Sequence, residues 1–162
     1  MSLFSFFARK PFALAVVFCL SMALLVTGCS TDDDPADTGF IPAGEWTSSY
    51  DDYTITNTDV EYDDGYGNFN GAIEKAIDFS ANAGVLIIKI TASSGDFTVG
   101  KYTGIYYSEY ASDSIKLANV WLEGSDGNWY PLEADSLSAA VSLFKVDNVG
   151  DHVSSWGVYT IK

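Results

Sequence analysis

The sequence predicts a mainly β domain, a small antiparallel up-and-down barrel of about eight strands with one helix before the last strand. From residue 44 onward, short runs rich in β-branched and aromatic residues alternate with clusters of turn formers. Only one segment has a clear helical period, and strands do not alternate with helices as they do in parallel sheets. This pattern indicates a barrel or a sandwich, of which we expect the barrel.

The predicted strands follow one another from residue 44 to residue 161. Turn formers separate them, most clearly in "DDGYGN" (63–68) and "SDGN" (125–128), whose Asp-Gly pairs supply the positive φ of a tight hairpin. The predicted strand segments are "GEWTSSY" (44–50), "YTIT" (53–56), "TDVEY" (58–62), "FNGAIEKAIDFS" (69–80), "VLIIKIT" (85–91), "KYTGIYYSEY" (101–110), "SIKLANVWL" (114–122) and "HVSSWGVYTI" (152–161).

Residues 69–80 fit either a strand or a helix. Ala, Glu and Lys favour a helix, and the apolar residues at 72, 73, 76 and 77 also fit a helical stripe. We prefer the strand, because its flanks resemble hairpins. As a strand, the segment places Glu74 and Asp78 on one face and the following residues on the other: Phe69, Gly71, Ile73, Ile77 and Phe79.

Residues 134–148 form the predicted helix. Apolar residues recur at helical spacing, and a polar residue at 135 or 136 can serve as N-cap. We expect one helix packed over one end of the barrel. The apolar residues are Leu137, Ala140, Val141 and Phe144, and the candidate caps are Asp135 and Ser136.

The N-terminal segment has the layout of a secretory signal. Arg9 and Lys10 form a short positive head, and residues 12–26 form an apolar run of fifteen residues. A membrane-spanning helix needs about 20 apolar residues, so this run is short for a span. A positive head, a short apolar core and small residues at the exit are typical of a signal peptide, and a retained signal anchor is the alternative.

"VTGC" (26–29) ends this segment and resembles the lipobox of bacterial lipoproteins. The resemblance implies that residues 1–28 are cleaved and that Cys29 receives acyl chains such as palmitate. Two or more chains anchor a protein stably in a membrane. It further implies a lipid-anchored protein of the cell envelope, at the outer membrane or cell surface in preference to the inner membrane. Cys19 lies in the cleaved part, so the mature chain has no second cysteine for a disulfide.

Residues 29–43 form a predicted acidic, flexible tether before the barrel domain, residues 44–162. After Cys29, the segment "STDDDPADTGFIPA" holds four aspartates, two prolines and only two large apolar residues. Such a composition buries too little apolar surface to offset the entropy of ordering. Its aspartates also lack the spacing of an EF-hand calcium loop.

Charge narrows the range of partners. All 22 acidic residues follow Cys29, whereas Arg9 and Lys10 precede it, so the mature chain has 22 acids against six bases and a net charge of −16. Nucleic acids and anionic membrane surfaces both require basic patches, so we expect neither as a partner of the folded face. The charge suits cationic ligands, divalent ions or simple solubility.

The first predicted strand opens with Gly44-Glu45-Trp46, which is similar to the Gly-x-Trp opening of lipocalin-like barrels. That resemblance implies that Trp46 closes the barrel floor, although residues 156–161 lack the basic partner usual on the last strand. More broadly, the domain resembles small treponeme-type spirochaete lipoproteins of uncharacterised function, which implies no activity. The resembling segments are "GEWTSSYDDYTIT", "FNGAIEKAIDFS", "AGVLIIKIT", "GKYTGIYY", "SIKLANVW" and "SWGVYTIK".

Few residues of the chain suit catalysis or metal binding. His152 is the only histidine, and no Gly-x-Ser-x-Gly motif accompanies it, so a serine-hydrolase triad is not indicated. One histidine and no free mature thiol do not make a typical zinc site. The spacing of the 22 acids selects no pair for glycoside hydrolysis. We therefore expect no enzyme, cofactor or metal.

Aromatic residues are the remaining candidates for recognition. An eight-stranded barrel has room for its own side chains or for one small ligand, so core filling and ligand lining both stay open. One hypothesis is an anchored, non-catalytic lipoprotein whose barrel binds a partner or a small hydrophobic or aromatic-stacking ligand. The other is an adhesin-like surface protein with a filled core. The aromatic candidates are Trp46, Tyr102, Tyr106, Trp121 and Trp156.

Replacing Cys29 by serine tests the predicted anchor. Because serine has no thiol to acylate, Cys29→Ser should leave an uncleaved or soluble precursor without fatty-acid label. The measurement is metabolic labelling with a radioactive fatty acid followed by gel electrophoresis. Normal acyl labelling of the variant would contradict the lipobox interpretation.

Overall fold

The computed structural model describes residues 39–162, in which eight strands form a closed antiparallel barrel. The predicted fold class is confirmed. The predicted signal peptide, Cys29 and most of the predicted tether lie outside the described residues. The strands are β1 (Gly44–Thr47), β2 (Asp52–Ile55), β3 (Asp59–Asp63), β4 (Asn68–Ser80), β5 (Ala83–Ser93), β6 (Tyr102–Ser108), β7 (Ser114–Asn119), β8 (Trp121–Glu123), β9 (Trp129–Pro131) and β10 (Gly157–Ile161).

The barrel is an up-and-down meander. Each strand from β1 to β7 pairs with the next one in the chain, and β10 lies between β7 and β1. Trp46 pairs with Ile161 and Thr47 with Thr160 where β10 closes the barrel. β8 and β9 form a separate two-stranded hairpin between β7 and β10.

A short helical region precedes the last strand, as predicted, but it consists of three short helices and not of the single helix expected over residues 134–148. It comprises α1 (Leu137–Leu143), a 3₁₀-helix (Val146–Asn148) and α2 (Val149–His152). The Ser136 side chain caps α1 by accepting a hydrogen bond from the Ala139 N–H. The region packs against the outer wall at β5 and β6, not over an end of the barrel as expected.

The outer wall is apolar where the helices cover it. Val85, Ile87 and Tyr106 point outward into this contact, whereas Leu86 and Ile105 point into the barrel. Burial on both faces explains the unbroken apolar run of β5. Gly104 allows the Phe144 ring to lie directly against the backbone of β6, because a Cβ at position 104 would be only 2.5 Å from that ring.

Residues 68–80 form a strand, as predicted, but a β-bulge at Glu74 changes the faces of its second half. Ile73 pairs with Ile88 and Lys75 with Ile87, which leaves Glu74 unpaired. An extra residue reverses the alternation beyond it. Ile77 and Phe79 therefore pack on the outer wall and not, as expected, on the face that Phe69 directs into the barrel.

The end of the barrel that contains Trp46 is closed, and we call it the floor. The Trp46 side chain is buried, and its Nε1 donates a hydrogen bond of 2.9 Å to the Pro42 carbonyl. Phe40 packs against Tyr110 at 4.7 Å between ring centroids. The Phe40 N–H also donates to Asp78 Oδ1 at 2.9 Å. Residues 39–43, which we expected to belong to the tether, are therefore part of the fold.

Replacing Trp46 tests the floor. Truncation of a buried tryptophan to alanine typically costs about 3–5 kcal/mol, a large part of a domain stability of roughly 5–15 kcal/mol. Trp46→Ala should unfold or severely destabilise the domain in urea denaturation. Trp129→Ala is the matched control, because Trp129 is 55% exposed on the β8–β9 hairpin and its loss should be mild. Small and equal effects at both positions would contradict a buried Trp46.

Candidate functional site

The interior of the barrel is filled by its own side chains. Rings from neighbouring strands are in contact: Tyr53 with Tyr62 at 4.8 Å between centroids, Tyr62 with Phe69 at 5.3 Å, and Phe69 with Phe97 at 4.5 Å. An eight-stranded barrel is just wide enough for such a core. Space for a ligand is therefore to be sought outside the barrel interior.

A cleft of about 440 Å³ opens at the end of the barrel opposite the floor, and we call it the mouth cleft. It lies where the β1–β2 turn, the end of β7 and the segment before β10 meet. Its volume is in the range of small-molecule sites, which are about 300–1,000 Å³. The aromatic residues that line it are Tyr50, Tyr53, Tyr62, Trp121, Trp156 and Tyr159, and its polar lining includes Ser48, Asp51 and Asn119.

Asp51 supplies the charge of the mouth cleft. Of the described residues that line the cleft, it alone carries a formal charge. The Ser48 hydroxyl donates to Asp51 Oδ1 at 2.5 Å, and the Tyr159 hydroxyl donates to Oδ2 at 2.8 Å. Both donors are neutral hydroxyls, so they fix the carboxylate in position without placing a positive charge beside it.

The tyrosines beside Asp51 are neutral hydrogen-bond donors. Burial raises the pKa of Tyr53 well above its ordinary value, and the neighbouring Tyr159, Tyr62 and Asp51 add to the shift. Burial is also the largest cause that raises the pKa values of Tyr62 and Tyr159, and the Asp51 carboxylate again adds to the shift. A phenolate is disfavoured in a buried site next to a carboxylate.

Asn119 contributes a buried amide. It is the last residue of β7 and lines the cleft next to Leu117 and Ala118. Neither the nitrogen nor the oxygen of its side-chain amide has a hydrogen-bond partner among the described residues, although both atoms are buried. An unsatisfied buried polar group costs about 1–3 kcal/mol.

The structure does not bring the five aromatic candidates together. Trp46 is at the floor, and Trp121 and Trp156 line the mouth cleft. Tyr102 and Tyr106 lie on the outer wall in the cluster that contacts the helices, and Trp156 also packs against that cluster. Two of the five therefore share a site, and neither lies deep in the barrel.

The sequence analysis missed Asp51, Asn119 and the four tyrosines of the cleft. A hairpin register drawn from the sequence could have found Tyr53 and Tyr62. Tyr53 pairs with Trp46 on one side and with Tyr62 on the other. Asp51 lies in an ordinary turn, and its sequence carries no signal of its position in the cleft.

His152 lies away from the mouth cleft, at the end of α2. Its Nδ1 is 3.2 Å from the Tyr106 hydroxyl, and its ring packs near Phe144. Burial lowers the pKa of His152, while Asp151 opposes that shift. Its contacts join the helices to the outer wall, which is a structural role.

Comparison of the chain with protein-family models, with curated proteins and with solved structures finds no match. Within residues 39–162, no helix has the length and apolar character needed to cross a membrane. In the same part of the chain, histidine, cysteine, aspartate and glutamate side chains do not gather in groups of three or more that could hold a metal ion. The geometry of the mouth cleft is thus the main evidence on function.

The Tyr159–Asp51 hydrogen bond can be tested against a similar bond at the surface. Tyr159 is buried, and a hydrogen bond to a charged group contributes about 1.5–3 kcal/mol. Tyr159→Phe should therefore lower the free energy of unfolding by about 1–3 kcal/mol in urea denaturation. Tyr130→Phe is the control, because the Tyr130 hydroxyl donates to Asp126 at 2.7 Å but is exposed. Its effect should stay within about 0.5 kcal/mol. Equal losses of unfolding free energy in the two variants would show that the Tyr159–Asp51 hydrogen bond stabilises the fold no more than the exposed one.

Proposed function

We propose that the protein is a lipid-anchored lipoprotein of the cell envelope that binds a small ligand in the mouth cleft without catalysing a reaction. The observation that carries this proposal is an aromatic-walled cleft of about 440 Å³ in which Asp51 is the one charged residue of the described lining. Ligand sites in proteins combine apolar and aromatic walls with a few fixed polar groups. Asp51 is such a group, and Trp121 and Trp156 belong to the aromatic wall.

The end of the barrel at which the described chain enters agrees with this role. The Gly39 N–H donates to the Ala76 carbonyl at 3.3 Å, so the described chain enters the fold near the floor. The mouth cleft is at the opposite end of the barrel. A chain attached to the membrane through Cys29 therefore joins the barrel at the end remote from the cleft, which leaves the cleft accessible. We favour the outer membrane or cell surface over the inner membrane.

A second candidate is an adhesin-like surface protein, and two observations favour it. The barrel interior is filled, and the β8–β9 hairpin exposes apolar side chains at Leu122, Trp129 and Tyr130. Exposed aromatic residues are enriched at protein–protein interfaces. In this function the hairpin would make the contact and the mouth cleft would hold no specific ligand.

Native mass spectrometry of the protein released from its own membranes tests both parts of the proposal. We expect a mature mass that begins at Cys29, carries acyl chains and retains a small molecule. Trp121→Ala removes a wall of the cleft and should lose the small molecule, whereas the exposed Trp129→Ala should keep it. An acylated protein without any retained mass would favour the surface-contact function, and an unacylated one would contradict the anchor.

A further inference from the structure

We propose that the ligand of the mouth cleft is an organic cation, an amine or a quaternary ammonium compound. This inference rests on the proposed ligand-binding function and specifies its chemistry. Two features carry it: the carboxylate of Asp51 and the aromatic residues that line the cleft with it.

Within residues 39–162, no cationic side chain forms a salt bridge with the Asp51 carboxylate. Its two partners, Ser48 and Tyr159, are neutral hydroxyls. The salt bridges between described residues involve other acids, and the nearest in sequence joins Lys162 to Asp52 at 2.9 Å. A carboxylate has about four acceptor positions, so Asp51 can accept further hydrogen bonds from a ligand.

The aromatic walls of the cleft favour a cation over a neutral or anionic ligand. A cation within about 6 Å of a tryptophan or tyrosine ring is attracted by the negative face of the ring, most strongly for tryptophan. Trp121, Trp156 and Tyr159 line the cleft together with Asp51, so a cation in the cleft has aromatic rings as well as a carboxylate beside it. In Asp51→Asn an amide replaces the carboxylate, so only the aromatic rings would be left to attract a cation.

The surroundings add to the negative potential. Tyr62 and Trp121 also line a neighbouring cleft of about 350 Å³, which contains Asp64 and Asp96. The Tyr62 hydroxyl lies 3.4 Å from Asp64 Oδ2. Lysine and arginine are absent from the described lining of both clefts. The large net negative charge of the mature chain also attracts cations over longer distances.

Choline and its uncharged isostere test the inference. In 3,3-dimethyl-1-butanol a carbon atom replaces the ammonium nitrogen of choline, so shape and hydroxyl are kept while the charge is lost. The protein is the mature chain with Cys29→Ser, labelled with nitrogen-15. Its four tryptophan indole N–H signals report on the cleft (Trp121, Trp156), the floor (Trp46) and the exposed hairpin (Trp129).

We expect choline to shift the Trp121 and Trp156 signals saturably and to leave those of Trp46 and Trp129 unchanged. The alcohol should bind at least about tenfold more weakly, and added salt should weaken choline binding. Asp51→Asn should weaken it by about tenfold or more, whereas Asp113→Asn, an exposed acid in the β6–β7 turn, should not change it. The comparison of choline with the uncharged alcohol does not use the Asp51 variant. It therefore tests the inference even if Asp51→Asn destabilises the fold.

Equal binding of choline and the alcohol would overturn the cation inference and leave the proposed ligand-binding function intact. If methyl glucoside shifts the Trp121 and Trp156 signals and choline does not, the cation inference is likewise overturned while the ligand-binding function stands. If none of the three probes shifts the cleft signals, the cation inference is overturned. The proposed function fails only if native mass spectra also lack a retained molecule.

Discussion

The width of a closed eight-stranded barrel is the constraint on which the rest of this structure depends. Pairing of β1 with β10 closes the sheet and removes its edges. The enclosed space is then just wide enough for side chains, and aromatic rings occupy it from Trp46 to Phe97. A ligand has to bind outside this packed interior. The mouth cleft, on top of the filled core, meets that condition.

The chain between β7 and β10 serves two parts of the molecule. Its helices cover the outer wall of β5 and β6, which would otherwise expose apolar residues such as Ile87. Its first and last segments bring Trp121 and Trp156 to the mouth cleft. The same insertion therefore completes the fold and builds a wall of the candidate site, so stability and recognition are linked through it.

The sequence predicts local features of this protein better than long-range ones. Alternation and turn residues predicted most of the barrel strands, and helical spacing with Ser136 predicted α1. Residues 114–122 and 152–161 were each predicted as one strand, but the first is divided into β7 and β8, and the second becomes a strand only at Gly157. The bulge at Glu74 was not predictable, because an extra residue leaves no mark on composition or turn signals. The site of Asp51 was not predictable either, since it is created by Asn119 and Tyr159 from other strands once the barrel closes. Acylation of Cys29 stays a prediction.

The central claim is that recognition takes place at the mouth of a filled barrel. A crystal structure of the mature chain grown with choline tests it most directly. We predict choline density next to Asp51 and between Trp121 and Trp156, with the Tyr53 and Phe69 rings in the positions described above. Ligand density inside the barrel, with these two rings displaced, would contradict the claim.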